Sequence, residues 1–117
     1  MEMLSFIISE NKKDKIVLKK FLDLDEDYFG TCIYVVYLNM INNKDYSEIL
    51  EKESNKDYLE EKFSKNEFDI LKEIIKKIYN IKDTNIKDEQ FREFGKNSFN
   101  ETKEMMKKYY GTIKYSS

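Results

Sequence analysis

YFGTCIYVVYLNMI, residues Tyr28–Ile41, is the one long segment without a charged side chain. Phe29, Cys32, Ile33, Val36, Tyr37 and Met40 recur at i, i+3, i+4, i+7, the spacing of one helix face. Tyr34, Val35, Leu38 and Ile41 cover most of the remaining circumference. A helix that is apolar nearly all round is buried on several sides. A membrane span needs about 20 apolar residues, so the segment reads instead as the central core helix of a small soluble domain.

The flanks follow from that centre. Asp23, Asp25, Glu26 and Asp27 precede it, where carboxylates complement a helix's positive end and can cap its free N–H groups. Gly30 is costly inside a helix, by about 1 kcal/mol relative to alanine, and so marks a close packing point or a bend. Asn42-Asn43 closes the helix, because Asn tolerates the left-handed cap conformation. Upstream, a helix starts at Asn11 or Asp14 and ends near Leu22, with Val17, Leu18, Phe21 and Leu22 inward. Met3–Ser9 reads either as a strand or as helical turns, with Phe6, Ile7 and Ile8 buried in both cases. Downstream, Asp45–Glu53 reads as a short helix with Tyr46, Ile49 and Leu50 inward, and Lys56–Phe63 presents Tyr58, Leu59 and Phe63. Ser64–Glu67 is a capping box. It opens a helix whose buried face is Phe68, Leu71, Ile75, Ile78 and Tyr79, with Ile74 beside it. Asp88–Tyr110 is helical by pattern, with Phe91, Phe94, Ser98, Thr102, Met105 and Tyr109 in register. Gly95 and a second capping box, Ser98–Glu101, break it near Lys96–Ser98, and Gly111 is the expected stop. Ile113 and Tyr115 alternate, which leaves open an edge pairing of Thr112–Ser117 with Met3–Ile8. The expectation is an all-α fold: a compact bundle of five to six helices, residues 1–117 forming a single helical domain, with a minor two-stranded pairing of the termini as a variant.

Composition narrows the chemistry. The 117 residues contain no His, no Pro and one Cys. His-based catalysis, His metal sites and an intramolecular disulfide are therefore excluded. Cys32, inside the apolar helix, reads as a buried thiol. Asp23, Asp25 and Asp27 open like a calcium loop, but positions 6 and 12 of that loop fall on Tyr28 and Tyr34 instead of Gly and Glu. No metal and no cofactor are expected. Gly30, Gly95 and Gly111 lie too far apart for a phosphate loop. Met1–Ile8 lacks the basic start and sustained apolar run of a signal peptide, so the expected compartment is the cytoplasm. Lys, Asn, Ile, Tyr and Phe are over-used and have AT-rich codons, which fits a low-GC bacterium or phage. The single arginine, Arg92, and a pI of 5.3 argue against direct nucleic-acid binding.

Charge is distributed unevenly. Residues 23–61 hold eleven acidic side chains against three lysines, a net charge of −8, whereas residues 1–22 carry +2 and residues 62–117 carry +4. Such asymmetry creates a face that steers a basic partner. Tyrosines beside the charges suit anchors within a polar rim. The expected partner-binding residues are Asp23, Asp25, Glu26, Asp27, Asp45, Glu48, Glu51, Asp57, Glu60 and Glu61, with Tyr46 and Tyr58 as anchors. The bland alternative is helix capping and an ordinary solvated surface. Lys72, Lys76, Lys77, Lys103, Lys107 and Lys108 interleave with Glu73, Glu101 and Glu104, the pairing of a solvated helix.

Residues 66–110, with NEFDILKEIIKKIYNI, then KDEQFREFGKNSF, then a terminal helix, resemble the later helices of bacteriocin-type and contact-dependent toxin immunity proteins. The resemblance implies a small cytosolic inhibitor that binds a cognate toxin, frequently a basic nuclease, and blocks its active site. It carries over no individual site residue. The expectation is a non-enzymatic, protein-binding immunity protein whose partner is a basic toxin or nuclease, with no membrane and no direct nucleic acid involved. Two alternatives remain: a phage-encoded inhibitor of a bacterial defence nuclease, similar to an anti-CRISPR protein, and a self-associating structural helical module.

Overall fold

Phe29, Cys32, Ile33, Val36 and Met40 lie on one side of a helix and are all buried. Helices that follow it in the chain, and an aromatic side chain of the one before, pack against that helix. The computed structural model describes residues 2–82, 89–97 and 99–113, with side chains from residue 12 onward. In chain order the helices are α1 (Glu2–Leu22), α2 (Glu26–Asn42), α3 (Tyr46–Leu50), α4 (Lys56–Lys62), α5 (Lys65–Tyr79), α6 (Glu89–Lys96) and α7 (Phe99–Ile113). Among the described residues there is no strand. The fold is an all-α bundle. Seven helices lie among the described residues, against the five or six expected, and the break between α6 and α7 follows Lys96, where it was expected.

Two aromatic clusters grip α2 near its two ends. Phe21 of α1 meets Phe29 edge-on, with centroids 5.1 Å apart, and Phe63, which lies 5.4 Å from Phe21, continues to Phe68 and Tyr46. Towards the C-terminal end of α2, Tyr37 stacks on Phe91 at 5.6 Å and meets Phe94 edge-on at 5.5 Å, and Phe94 leans on Tyr79. Aromatic pairs of this geometry add about 0.5–1.5 kcal/mol each beyond the area they bury. Helix α1 lies against α5 and α7, while α2 touches α3, α5 and α7. One core cluster runs from Leu18 to Ile113 through these contacts.

Several ends are set locally. The Ser64 hydroxyl accepts from the Glu67 N–H at 3.2 Å, and the Glu67 carboxylate accepts from the Ser64 N–H at 3.0 Å, closing the predicted capping box. Asn43 ends α2 at φ 55, and Asn80 ends α5 at the same φ. At Asn80 the N–H groups of Asn80 and Ile81 turn back onto the Lys77 and Lys76 carbonyls, a Schellman closure.

Two expectations are corrected and one open reading is settled. Helix α1 is continuous from Glu2, so it does not begin at Asn11 or Asp14. Met3–Ser9 is helical, its backbone groups are used inside α1, and no strand forms there to pair with the C-terminus. Gly111 does not stop α7, which runs on to Ile113: Gly111 has no left-handed φ, and Ile113 is buried in the core and holds the final turn. The burial expected of Phe6, Ile7 and Ile8, the second capping box at Ser98 and the end of the Thr112–Ser117 segment lie outside the described residues.

Candidate protein-binding surface

The ten carboxylates expected at a partner surface are all exposed: Asp23, Asp25, Glu26, Asp27, Asp45, Glu48, Glu51, Asp57, Glu60 and Glu61. Capping does not account for them. Asp25 and Asp45 occupy the N-cap positions of α2 and α3 with extended backbones, yet neither side chain accepts a hydrogen bond from its helix. Their effect on the helices is confined to the field of the first turn.

Ion pairing sorts the charges by region. Lys20 binds Glu67 at 2.6 Å, Lys77 binds Asp14 at 3.6 Å and Lys107 binds Glu104 at 3.2 Å. Lys72 and Lys76 lie beside Asp69 and Glu73 on α5. Among the described residues, Asp23 is the only one of the ten carboxylates in an ion pair, with Lys19 at 3.5 Å. The lysine-bearing helices α1, α5 and α7 are therefore partly neutralised by their own acids, whereas the carboxylates of residues 25–61 keep their field.

The two tyrosine anchors separate. Tyr46 is 4% exposed, stacks on Phe68 at 5.0 Å and donates a 2.7 Å hydrogen bond to Asp69. Burial, reinforced by the Asp69 hydrogen bond and charge, pushes its phenol well above the usual tyrosine value. Of the two readings of Tyr46 the inward one is met, because its ring completes the Phe63–Phe68 cluster; as an anchor it could offer only the part that lines the groove of Asp45 and Glu60. Tyr58 remains partly bare. It stacks on Tyr28 at 4.1 Å, with the Lys62 ammonium 5.6 Å from its ring centroid.

The acids do not share one concavity. Glu26 and Asp27 join Glu53 in a groove of about 550 Å³ between α2, the loop after α3 and the first turns of α7. Gly30 and Phe29 line it from α2, and Phe99 and Lys103 from α7. Asp45 and Glu60 line a second groove of about 340 Å³ with Phe63 and Lys65. Glu48 lines a third, of about 280 Å³, which shares Tyr34 and Glu53 with the first. The loop that carries Glu53 is tied to α2 by a 3.0 Å hydrogen bond from the Asn55 amide to the Thr31 hydroxyl.

Tyr34, Glu53, Phe99 and Lys103 were not among the expected site residues. Tyr34 had a readable signal: Asp27, Thr31, Tyr34, Leu38 and Asn42 follow helical spacing and form the less buried stripe of α2. The helix is therefore buried on several sides, as expected, and open along this stripe. Phe99 had no local signal. Its place is set by Gly30, since a Cβ there would come within 3.1 Å of the Phe99 ring.

Other chemistry is sparse. Cys32 is wholly buried, and burial pushes its thiol up to about 12, far from a reactive thiolate. Among the described residues no group of three His, Cys, Asp or Glu side chains converges as metal ligands do, and no helix is long and apolar enough to cross a membrane. No family model matches the chain, and comparison with curated proteins and with solved structures gave no significant match.

Proposed function

We propose that this chain is a small cytoplasmic inhibitor, an immunity protein that neutralises a cognate basic toxin, of the nuclease kind, by covering its substrate cleft with the acidic surface of residues 23–61. The observation that carries this reading is the segregation of ion pairs. Nine of the ten expected carboxylates stand exposed without an ion pair among the described residues, while Lys19, Lys20, Lys72, Lys76, Lys77 and Lys107 of α1, α5 and α7 each face an acid. A cleft built to hold a nucleic-acid backbone is positive, and an unpaired acidic surface offers it a rival for the same contacts. The absence of His from the sequence favours a binding role over an enzymatic one. A phage-encoded inhibitor of a defence nuclease would use the same surface chemistry, and the neighbouring gene separates the two.

The test is co-expression. The product of the adjacent gene should arrest growth alone and be tolerated together with this chain. The double reversal Glu48→Lys with Glu51→Lys should leave the helical circular-dichroism signal intact, reduce protection and slow association by about tenfold at low salt. Undiminished protection by the reversed protein would reject this surface.

A further inference from the structure

We propose that the groove between α2 and α7 receives an arginine or lysine side chain of the protein partner, held between Tyr34 and Phe99 and neutralised by Glu26, Asp27 and Glu53. The inference rests on the reading of this chain as a binder of a basic protein, and it names the place and the chemistry of the contact.

Four observations converge. First, the groove's volume of about 550 Å³ accommodates one long side chain together with its flanking backbone. Second, Tyr34 and Phe99 are 45% and 49% exposed, although both rings line a concavity. Among the described residues neither packs on another aromatic ring, and about half of each residue stays open to solvent. An aromatic face carries negative quadrupolar charge and attracts a cation, and a flat guanidinium can also stack on it. Third, the lining carries three carboxylates against one ammonium, and among the described residues Glu26, Asp27 and Glu53 make no ion pair. Fourth, the groove already holds one cation in this manner: the Lys103 ammonium lies 5.3 Å from the centroid of the Phe29 ring. An incoming cation would sit beside Lys103, towards the carboxylates.

Tyr34 and Glu53 also line the neighbouring groove, where Lys44 and Lys52 stand with Glu48. Of these two grooves the acidic excess is therefore confined to the first, which suits a single basic side chain. The groove width depends on Gly30, because an alanine there must displace the half-exposed Phe99 ring by a few tenths of an ångström.

The test uses the whole chain, ¹⁵N-labelled at low salt, titrated with acetyl-Gly-Arg-Gly-amide and, as control, acetyl-Gly-Glu-Gly-amide. The arginine peptide should shift the amides of Gly30, Thr31, Tyr34, Glu53 and Lys103 saturably, and the glutamate peptide should not. Tyr34→Ala and Phe99→Ala should each weaken binding about two- to fivefold, and Glu53→Gln should weaken it as well. Lys103→Met, which removes a like charge, should strengthen it. Shifts that map to the Asp45–Glu60 groove, an equal response to both peptides, or weaker binding by Lys103→Met would overturn the proposal. So would groove shifts that grow with protein concentration alone while light scattering reports a dimer, since the occupant would then be a second copy. Co-expression separates this inference from its premise. If Glu48→Lys with Glu51→Lys breaks protection while Tyr34→Ala with Phe99→Ala does not, the groove falls and the acidic-surface reading stands. If the peptide seats in the groove but the adjacent gene product is not neutralised, the immunity reading falls and the groove stands.

Discussion

Lys20 joins three parts of the molecule through one ammonium group. It donates to the Lys62 carbonyl at 2.6 Å and to Glu67 at 2.6 Å, and it lies 5.0 Å from the centroid of the Phe63 ring. Glu67 consequently serves two purposes, since its other oxygen completes the capping box of α5. Burial works against its charged form, but the Lys20 hydrogen bond and charge and the Ser64 hydrogen bonds outweigh it and hold the carboxyl below its usual value. A carboxyl lowered on folding stabilises the native state above its unfolded value, and that contribution is lost as pH falls through the folded value. Thermal melts of the wild type and of Glu67→Gln should therefore differ most near neutral pH and converge on acidification; a gap independent of pH would show that the charge of Glu67 is not what matters. Ser64→Ala should cost about 1 kcal/mol by removal of the cap. The Ser64–Glu67 pairing was readable because a cap spans three residues. The Lys20 contact was not, because its partner lies 47 residues away.

At the scale of elements, two glycines in helices carry opposite expectations. Gly95 faces Tyr37, and a Cβ there would stand 2.7 Å from the phenolic oxygen and 2.9 Å from two ring carbons. The ring is held by Phe91 and Phe94 and cannot swing aside freely. Gly95→Ala should destabilise the protein, because overpacking of about 1–3 kcal/mol exceeds the gain of about 1 kcal/mol in helix propensity. Gly111 has nothing within 4 Å of the equivalent position, so Gly111→Ala should stabilise by about 0.5–1 kcal/mol. Chemical denaturation of both variants checks the pair. The local pattern read both glycines as breakers: α6 does end at Lys96, just past Gly95, but α7 continues past Gly111. Packing assigns Gly95 to a close contact, and the burial of Ile113 draws the helix through Gly111.

For the molecule as a whole, one cluster of buried side chains links α1 to α7, and no separate core exists among the described residues. Heat should then unfold the protein in one transition, with the helical circular-dichroism signal and tyrosine fluorescence lost at the same temperature. Two resolved transitions would mean that α6–α7 melts apart from the rest. The polar triad of Tyr79, Thr102 and Asn97, with contacts of 2.9 Å and 3.1 Å, ties α5 to the junction of α6 and α7 and opposes such a division.

By itself the sequence determined the helical periodicity of α2–α7, most of their inward faces, the caps at Ser64 and Asn43 and the concentration of acid in residues 23–61, because periodicity, capping and composition act over a few neighbouring residues. Only the tertiary structure decided that the Lys20 ammonium meets Glu67, that α7 runs on through Gly111, and that Phe99 closes over Gly30 to form a groove beside Glu53. Those outcomes depend on which distant surfaces meet when α2 is enclosed, and no local pattern in the chain encodes that choice.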